Sequence, residues 1–69
     1  MKLTENERRY LRRANDGAMD LSFEKYADAA RPTLLALVEK GLMRRAEIEG
    51  DDEAEIYEIT EAGEAAVKT

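Results

Sequence analysis

The feature that most constrains the fold is a helical apolar repeat that stops at a glycine and gives way to alternating residues. Leu34, Leu37 and Val38 recur at helical spacing and predict the inner face of a helix over residues 32–40. Gly41 follows at once, and glycine is the usual residue where a helix ends. The chain therefore changes from helix to another structure at a defined position.

Two strands are predicted after this glycine, over residues 42–49 and 54–60. In each of them apolar residues alternate with others, which is the pattern of a half-buried strand. The segment Gly50-Asp-Asp-Glu53 joins them, and glycine and aspartate suit a tight turn. The two strands are therefore expected to form a hairpin, after which Thr60 is placed to cap a last helix.

The first part of the chain predicts a helix and a short strand. Thr4 and Glu7 have the spacing of a capping box, in which each side chain bonds to the other residue's amide. The helix is expected to end at Asn15-Asp-Gly17, with Gly17 in a left-handed conformation. Residues 18–21 then alternate in part and predict a single strand.

A second helix is predicted over residues 23–30, with Ser22 as its cap. Arg31-Pro32 interrupts it, because proline disfavours helix in the residue before it and suits the first turn of a new helix. Two helices with a tight corner are expected here, and one kinked helix is the alternative. The chain is thus predicted to be a single α+β domain over residues 1–69, in the order helix, strand, helix, helix, strand, strand, helix.

This order resembles the winged helix-turn-helix domain. The segment from Thr33 to Met43 is similar to the recognition helix and exit strand of small bacterial transcription regulators, and the segment from Tyr57 to Val67 is similar to the end of their wing and the helix after it. The resemblance implies a DNA-binding regulator whose third helix enters the major groove. The Ala-rich last helix, with Ala65, Ala66 and Val67, leaves open a homodimer that reads two half-sites.

The resemblance implies five DNA-contacting residues, which lie on the third helix or close to it. Thr33 and Lys40 can contact bases or phosphates, and Arg31 stands at the start of the helix. Arg44 and Arg45 follow on the exit strand and are expected to hold phosphates. We therefore take a winged-helix transcription regulator that binds duplex DNA as the leading hypothesis from sequence.

The charge distribution favours a second hypothesis. Residues 1–46 carry ten Lys and Arg against seven Asp and Glu, whereas residues 47–64 carry nine acids and no base. An acidic wing would repel the phosphates that duplex binding must neutralise. It suits instead a basic protein surface, as in small phage inhibitors of bacterial defence, anti-CRISPR proteins among them. The acids expected to contact such a partner are Glu49, Asp51, Asp52, Glu53 and Glu55.

Three arginines of the first helix, Arg8, Arg9 and Arg12, share the face opposite its apolar residues. They form either a patch for phosphates or a protein, or a solvated face balanced by Glu5 and Glu7. The sequence leaves both interpretations open.

Other classes of function find little support. The chain has no histidine and no cysteine, so the most common acid–base catalyst, thiol nucleophiles and thiolate metal sites are excluded. No apolar run approaches the roughly 18 residues of a membrane span, and the start of the chain is too polar for a signal peptide. We expect a cytoplasmic protein that is not an enzyme, with no cofactor and no metal.

Overall fold

The computed structural model describes residues 2–21, 27–50 and 54–68. Within these residues the chain is an α+β domain of three helices and a three-stranded antiparallel sheet. None of the described helices is long and apolar enough to cross a membrane. The elements, in chain order, are α1 (Glu5–Asp16), β1 (Met19–Asp20), α2 (Ala27–Glu39), β2 (Met43–Ala46), β3 (Ile56–Ile59) and α3 (Glu61–Val67).

The capping box at the start of α1 is confirmed. The Glu7 amide donates to the Thr4 hydroxyl at 3.1 Å, and the Thr4 amide donates to the Glu7 carboxylate at 2.8 Å. The predicted left-handed end of α1 is wrong, because Gly17 has φ 168° and is extended. Its amide still donates to the Ala14 carbonyl at 3.2 Å, which closes the last turn without a left-handed residue.

The predicted corner at Arg31-Pro32 is also wrong, and the single-helix alternative is what the described residues show. One helix, α2, runs from Ala27 to Glu39 with Pro32 inside it. A proline in a helix interior costs about 3 kcal/mol, because it cannot donate to the carbonyl four residues earlier. Burial of Ala30, Leu34 and Leu37 along one continuous side offsets this cost. The proposed cap Ser22 and the first residues of the predicted 23–30 helix lie outside the described residues.

Gly41 ends α2 as the sequence predicts. Its φ is 77°, which is the left-handed region that glycine adopts at little cost. The Gly41 amide donates to the Val38 carbonyl and the Leu42 amide donates to the Leu37 carbonyl, both at 3.0 Å. This pair of bonds is a Schellman motif, and it turns the chain directly into β2.

The three strands are ordered β1-β3-β2, with β3 in the centre. The register pairs Met19 with Tyr57 on one side of β3, and Arg44 with Glu58 on the other. The predicted strands are confirmed, but each is shorter than predicted. Of the predicted turn, Gly50 has φ 84°, and residues 51–53 lie outside the described residues.

The core lies between the helices and one face of this sheet. Its largest fully buried side chains are Tyr57, Leu11, Leu34, Leu37 and Met43. The Thr60 cap of α3 is confirmed, since its hydroxyl accepts from the Gly63 amide at 3.1 Å. Ala66 and Val67 pack partly against the core of their own chain.

Candidate binding surfaces

Arg31 is half-buried and is held in place by two carboxylates. Its Nε and one terminal nitrogen donate to the two oxygens of Glu55 at 2.7 and 2.9 Å, and the other terminal nitrogen donates to Asp28 at 2.8 Å. This two-point contact with Glu55 is the geometry that makes arginine–carboxylate pairs strong and specific. The side chain predicted to face a DNA groove therefore joins α2 to the residue before β3.

The Glu55 side chain is correspondingly shielded from most of the solvent. Its side chain is 18% exposed, and the Tyr57 hydroxyl also donates to it at 2.9 Å. The hydrogen bonds from Arg31, and then the one from Tyr57, lower the pKa of Glu55 to about 2. Burial, and then the Glu55 carboxylate, raise the pKa of Tyr57. Glu55 therefore stabilises the base of the hairpin and does not face outward, unlike the exposed Glu49.

Lys40 is paired in a similar way with Glu7. Its Nζ donates to the Glu7 carboxylate at 2.5 Å, and the Glu7 side chain is 6% exposed. The hydrogen bond from Lys40, followed by the one from the Thr4 amide, lowers the pKa of Glu7. One carboxylate thus caps α1 and also ties α1 to the end of α2. A second predicted DNA contact is occupied by an internal partner.

Arg44 and Arg45 are exposed, but they do not form one surface. Successive side chains of a strand point to opposite faces of the sheet, so these neighbours diverge. Arg44 donates to Glu58 across the strands at 3.1 Å, with 70% of its side chain exposed. Arg45 donates to the Ala54 carbonyl at 3.2 Å. Both contacts lie at the surface, and a surface ion pair such as Arg44–Glu58 contributes about 0–1 kcal/mol.

The outward face of α2 carries no unpaired cation. Its described side chains are apolar or acidic: Pro32 and Leu35 are exposed, and Asp28 and Glu39 lie exposed near the two ends. Leu35 is 50% exposed, and it is one of two large apolar side chains so exposed in the described residues. Thr33 is half-buried at the margin of this face. A face of this composition suits contact with protein better than contact with phosphates.

The acidic hairpin, residues 47–55, divides into an outward part and an inward part. Glu47 and Glu49 are exposed, and the exposed Ile48 lies between them. Glu55 turns inward to Arg31, as described above. Asp51, Asp52 and Glu53 lie outside the described residues. The hairpin and the outer face of α2 are neighbours, because Arg31 bonds to Asp28 on the helix and to Glu55 at the hairpin base.

The arginine face of α1, defined as Arg8, Arg9 and Arg12, is exposed. These three residues and Glu5 line one shallow surface groove. Of the two acids expected to balance them, Glu7 is buried on the opposite side of the helix and paired with Lys40. The described residues make no ion pair with these arginines.

Sequence patterns predict only some of these side-chain contacts. Glu55, just before β3, and Tyr57, within it, are two residues apart in a segment predicted to be a strand, which would place them on the same face and is a usable signal. The pairs Arg31–Glu55 and Lys40–Glu7 are separated by 24 and 33 residues, and no local pattern predicts them. In the described residues, no group of three or more acidic side chains is arranged to hold a metal ion.

Comparison with known proteins adds no relative. The chain matches no family model, no curated protein and no solved structure.

Proposed function

We propose that this chain is a non-catalytic binding protein that docks onto the cationic surface of a partner protein. The docking surface is the acidic hairpin together with the neighbouring outer face of α2. The element order, with sheet order β1-β3-β2, is compatible with a winged-helix fold. In this proposal that fold supplies the helix and the hairpin, and the side chains on them decide the partner.

The pairing of Arg31 and Lys40 with internal carboxylates is the observation that carries the proposal. Both cations lie on α2 or at its end, and each is bonded at 2.9 Å or less to an acid that is largely buried. Releasing either cation to a phosphate would leave Glu55 or Glu7 without its counter-charge, which is costly for a carboxylate shielded from water. Recognition of DNA by α2 would therefore begin with a loss of folding free energy.

The exposed groups of α2 and of the hairpin suit a basic protein. Glu47 and Glu49 offer negative charge that attracts and orients a cationic partner. Leu35 and Ile48 offer the exposed apolar surface that the centre of a protein interface needs. The nucleic-acid-binding surfaces of larger complexes carry many cationic side chains and have accessible grooves, so they are partners of the required kind. By occupying one of them, this chain would act as an inhibitor, in the manner of the phage proteins that it resembles in size and charge.

Affinity capture from cells that contain the chain, with a matched pair of variants, tests the proposal. Glu47→Lys with Glu49→Lys reverses two charges of the hairpin. Glu61→Lys with Glu64→Lys reverses two exposed charges of α3 and serves as the control. The proposal predicts that a captured protein is lost with the hairpin variant, is kept with the α3 variant, and dissociates as salt is raised. Equal capture by both variants would refute it.

A DNA-binding regulator is the second candidate, and the exposed arginines of β2 favour it. The Arg44–Glu58 pair is a surface contact that phosphate can replace at little cost, and Arg45 donates to a single carbonyl. Because the two arginines point to opposite faces of the sheet, only one of them can join Thr33 in a single contact, which would bind duplex DNA weakly. A salt-dependent shift of duplex DNA that Arg44→Glu with Arg45→Glu abolishes would support this candidate, and no binding at low salt would exclude it.

A further inference from the structure

The arginine face of α1 concentrates positive charge in a protein whose net charge is −5. Arg8 and Arg12 are four residues apart and so lie one helical turn from each other, about 6 Å along the axis. Arg9 lies between them on the same exposed side. The opposite side of the helix is buried through Leu11 and Ala14, which fixes the direction in which the three guanidinium groups project.

Among the described residues, the neighbouring acids form no ion pair with these arginines. Glu5 and Asp16 lie about one turn before and after them, yet neither makes an ion pair with them in the described structure. Glu7 is engaged with Lys40 and Thr4. Like charges one turn apart destabilise a helix slightly. The capping box and the buried side of α1 offset this repulsion, so the helix tolerates a face that is suited to an anionic ligand.

We propose that the arginine face binds the phosphate backbone of a nucleic acid. The phosphates of one strand follow each other about every 3.4 Å along the helix axis, so a row of guanidinium groups about 6 Å long meets two or three of them. Guanidinium groups bind phosphate oxygens at two points, which a flexible ammonium group cannot do.

An acidic protein fits this face less well. Protein interfaces need an apolar centre, and the large apolar side chains that are exposed in the described residues, Leu35 and Ile48, belong to α2 and the hairpin. Phosphate binding needs no such centre. The face also offers no exposed aromatic ring for stacking on bases among its residues, so the binding is independent of sequence.

This surface is distinct from the proposed protein-docking surface. The chain would then hold a nucleic acid on α1 and a basic protein on the α2–hairpin side, and so bring the two together. Because the two surfaces share no residue, loss of one binding activity leaves the other testable.

Fluorescence anisotropy of a labelled random-sequence duplex, titrated with the purified chain over a range of salt, tests the inference. Three phosphate contacts predict a slope of log affinity against log salt of about −2.7. The variant Arg8→Gln, Arg9→Gln, Arg12→Gln is expected to lose at least tenfold in affinity at low salt, and its slope is expected to approach zero. All three positions are exposed, so circular dichroism should show an unchanged fold.

The matched control removes two other exposed charges, neither of which lies on a proposed binding surface, by Lys2→Gln and Lys68→Gln. It should bind the duplex with nearly the affinity and slope of the unmodified chain. Loss of binding in a third variant, Arg44→Gln with Arg45→Gln, with binding kept in the α1 variant, would overturn the inference and support the second candidate function. If the unmodified chain bound no duplex at low salt, the inference would be overturned, and an acidic protein would become the expected ligand of the arginine face. The proposed docking of the α2–hairpin side would be unaffected by that result.

Discussion

Replacing Gly63 by alanine should destabilise this protein, although the same change usually stabilises a helix. Gly63 is buried in the first turn of α3. A Cβ built there would lie 2.1 Å from the Leu42 carbonyl oxygen and 2.6 Å from Cγ1 of Ile59. The Leu42 carbonyl cannot move away easily, because it accepts the Thr60 amide at 3.0 Å and follows the end of α2.

The magnitude follows from two opposing effects. Alanine is favoured over glycine in a helix by about 0.5–1 kcal/mol. Inserting a methyl group into packed structure costs about 1–3 kcal/mol, and a contact against backbone falls at or above the top of that range. The net loss is therefore about 2 kcal/mol or more. A domain of this size has a free energy of unfolding of about 3–10 kcal/mol, so the variant should lose a large part of it.

Urea denaturation followed by far-ultraviolet circular dichroism measures this loss. Gly17→Ala is the matched control, because a Cβ there meets no atom within 4 Å and φ is 168°, which alanine adopts without strain. The control should unfold at nearly the urea concentration of the unmodified chain. If Gly63→Ala were as stable as the unmodified chain, the close packing of α3 on the turn after α2 would be refuted.

Four further predictions concern single residues. Gly41→Ala should cost about 1–2 kcal/mol in urea denaturation, because φ is 77° at that position. Glu7→Gln keeps the capping geometry but loses the ion pair with Lys40, so the free energy of unfolding should fall by about 1–2 kcal/mol. A free energy of unfolding equal to that of the unmodified chain would contradict this role of Glu7. The lowered pKa of Glu55, about 2 against an ordinary 4.5, stabilises the fold above pH 4.5, and this stabilisation is lost as pH falls towards 2; Glu55→Gln should flatten that part of the stability curve. Tyr57→Phe should cost about 1 kcal/mol and leave the pKa of Glu55 low, since Arg31 remains in place; nuclear magnetic resonance titration of the carboxyl group checks this.

Elements set by nearby residues could be predicted from the sequence. The capping box of Thr4 and Glu7, the stop at Gly41 and the Thr60 cap each depend on residues within three or four positions. The core residues Leu34 and Leu37 follow from helical spacing alone. In these cases the local pattern and the tertiary structure favour the same conformation, which is why the patterns were sufficient.

Other features of the structure have tertiary causes that local patterns do not show. Pro32 indicates a break locally, but burial of one continuous side of α2 outweighs the lost hydrogen bond. Arg31 and Lys40 have the positions and charges of DNA contacts, yet each is paired with an acid more than twenty residues away. Folding brings these charges together. A sequence pattern that covers one helical turn or one strand therefore cannot predict the pairing.

The central claim is that Arg31 and Lys40, the cations of the α2–hairpin side, are paired with carboxylates of the same chain, so that this side does not bind nucleic acid. The most direct test follows the Nε–H resonance of Arg31 in a nitrogen-15-labelled sample while duplex DNA is added at low salt. The hydrogen bond from this nitrogen to Glu55 is 2.7 Å long, so its proton should be protected from exchange with water. Its chemical shift should not change up to the highest duplex concentration. A shift of this resonance, together with shifts of the Thr33 and Arg44 amides, would contradict the claim.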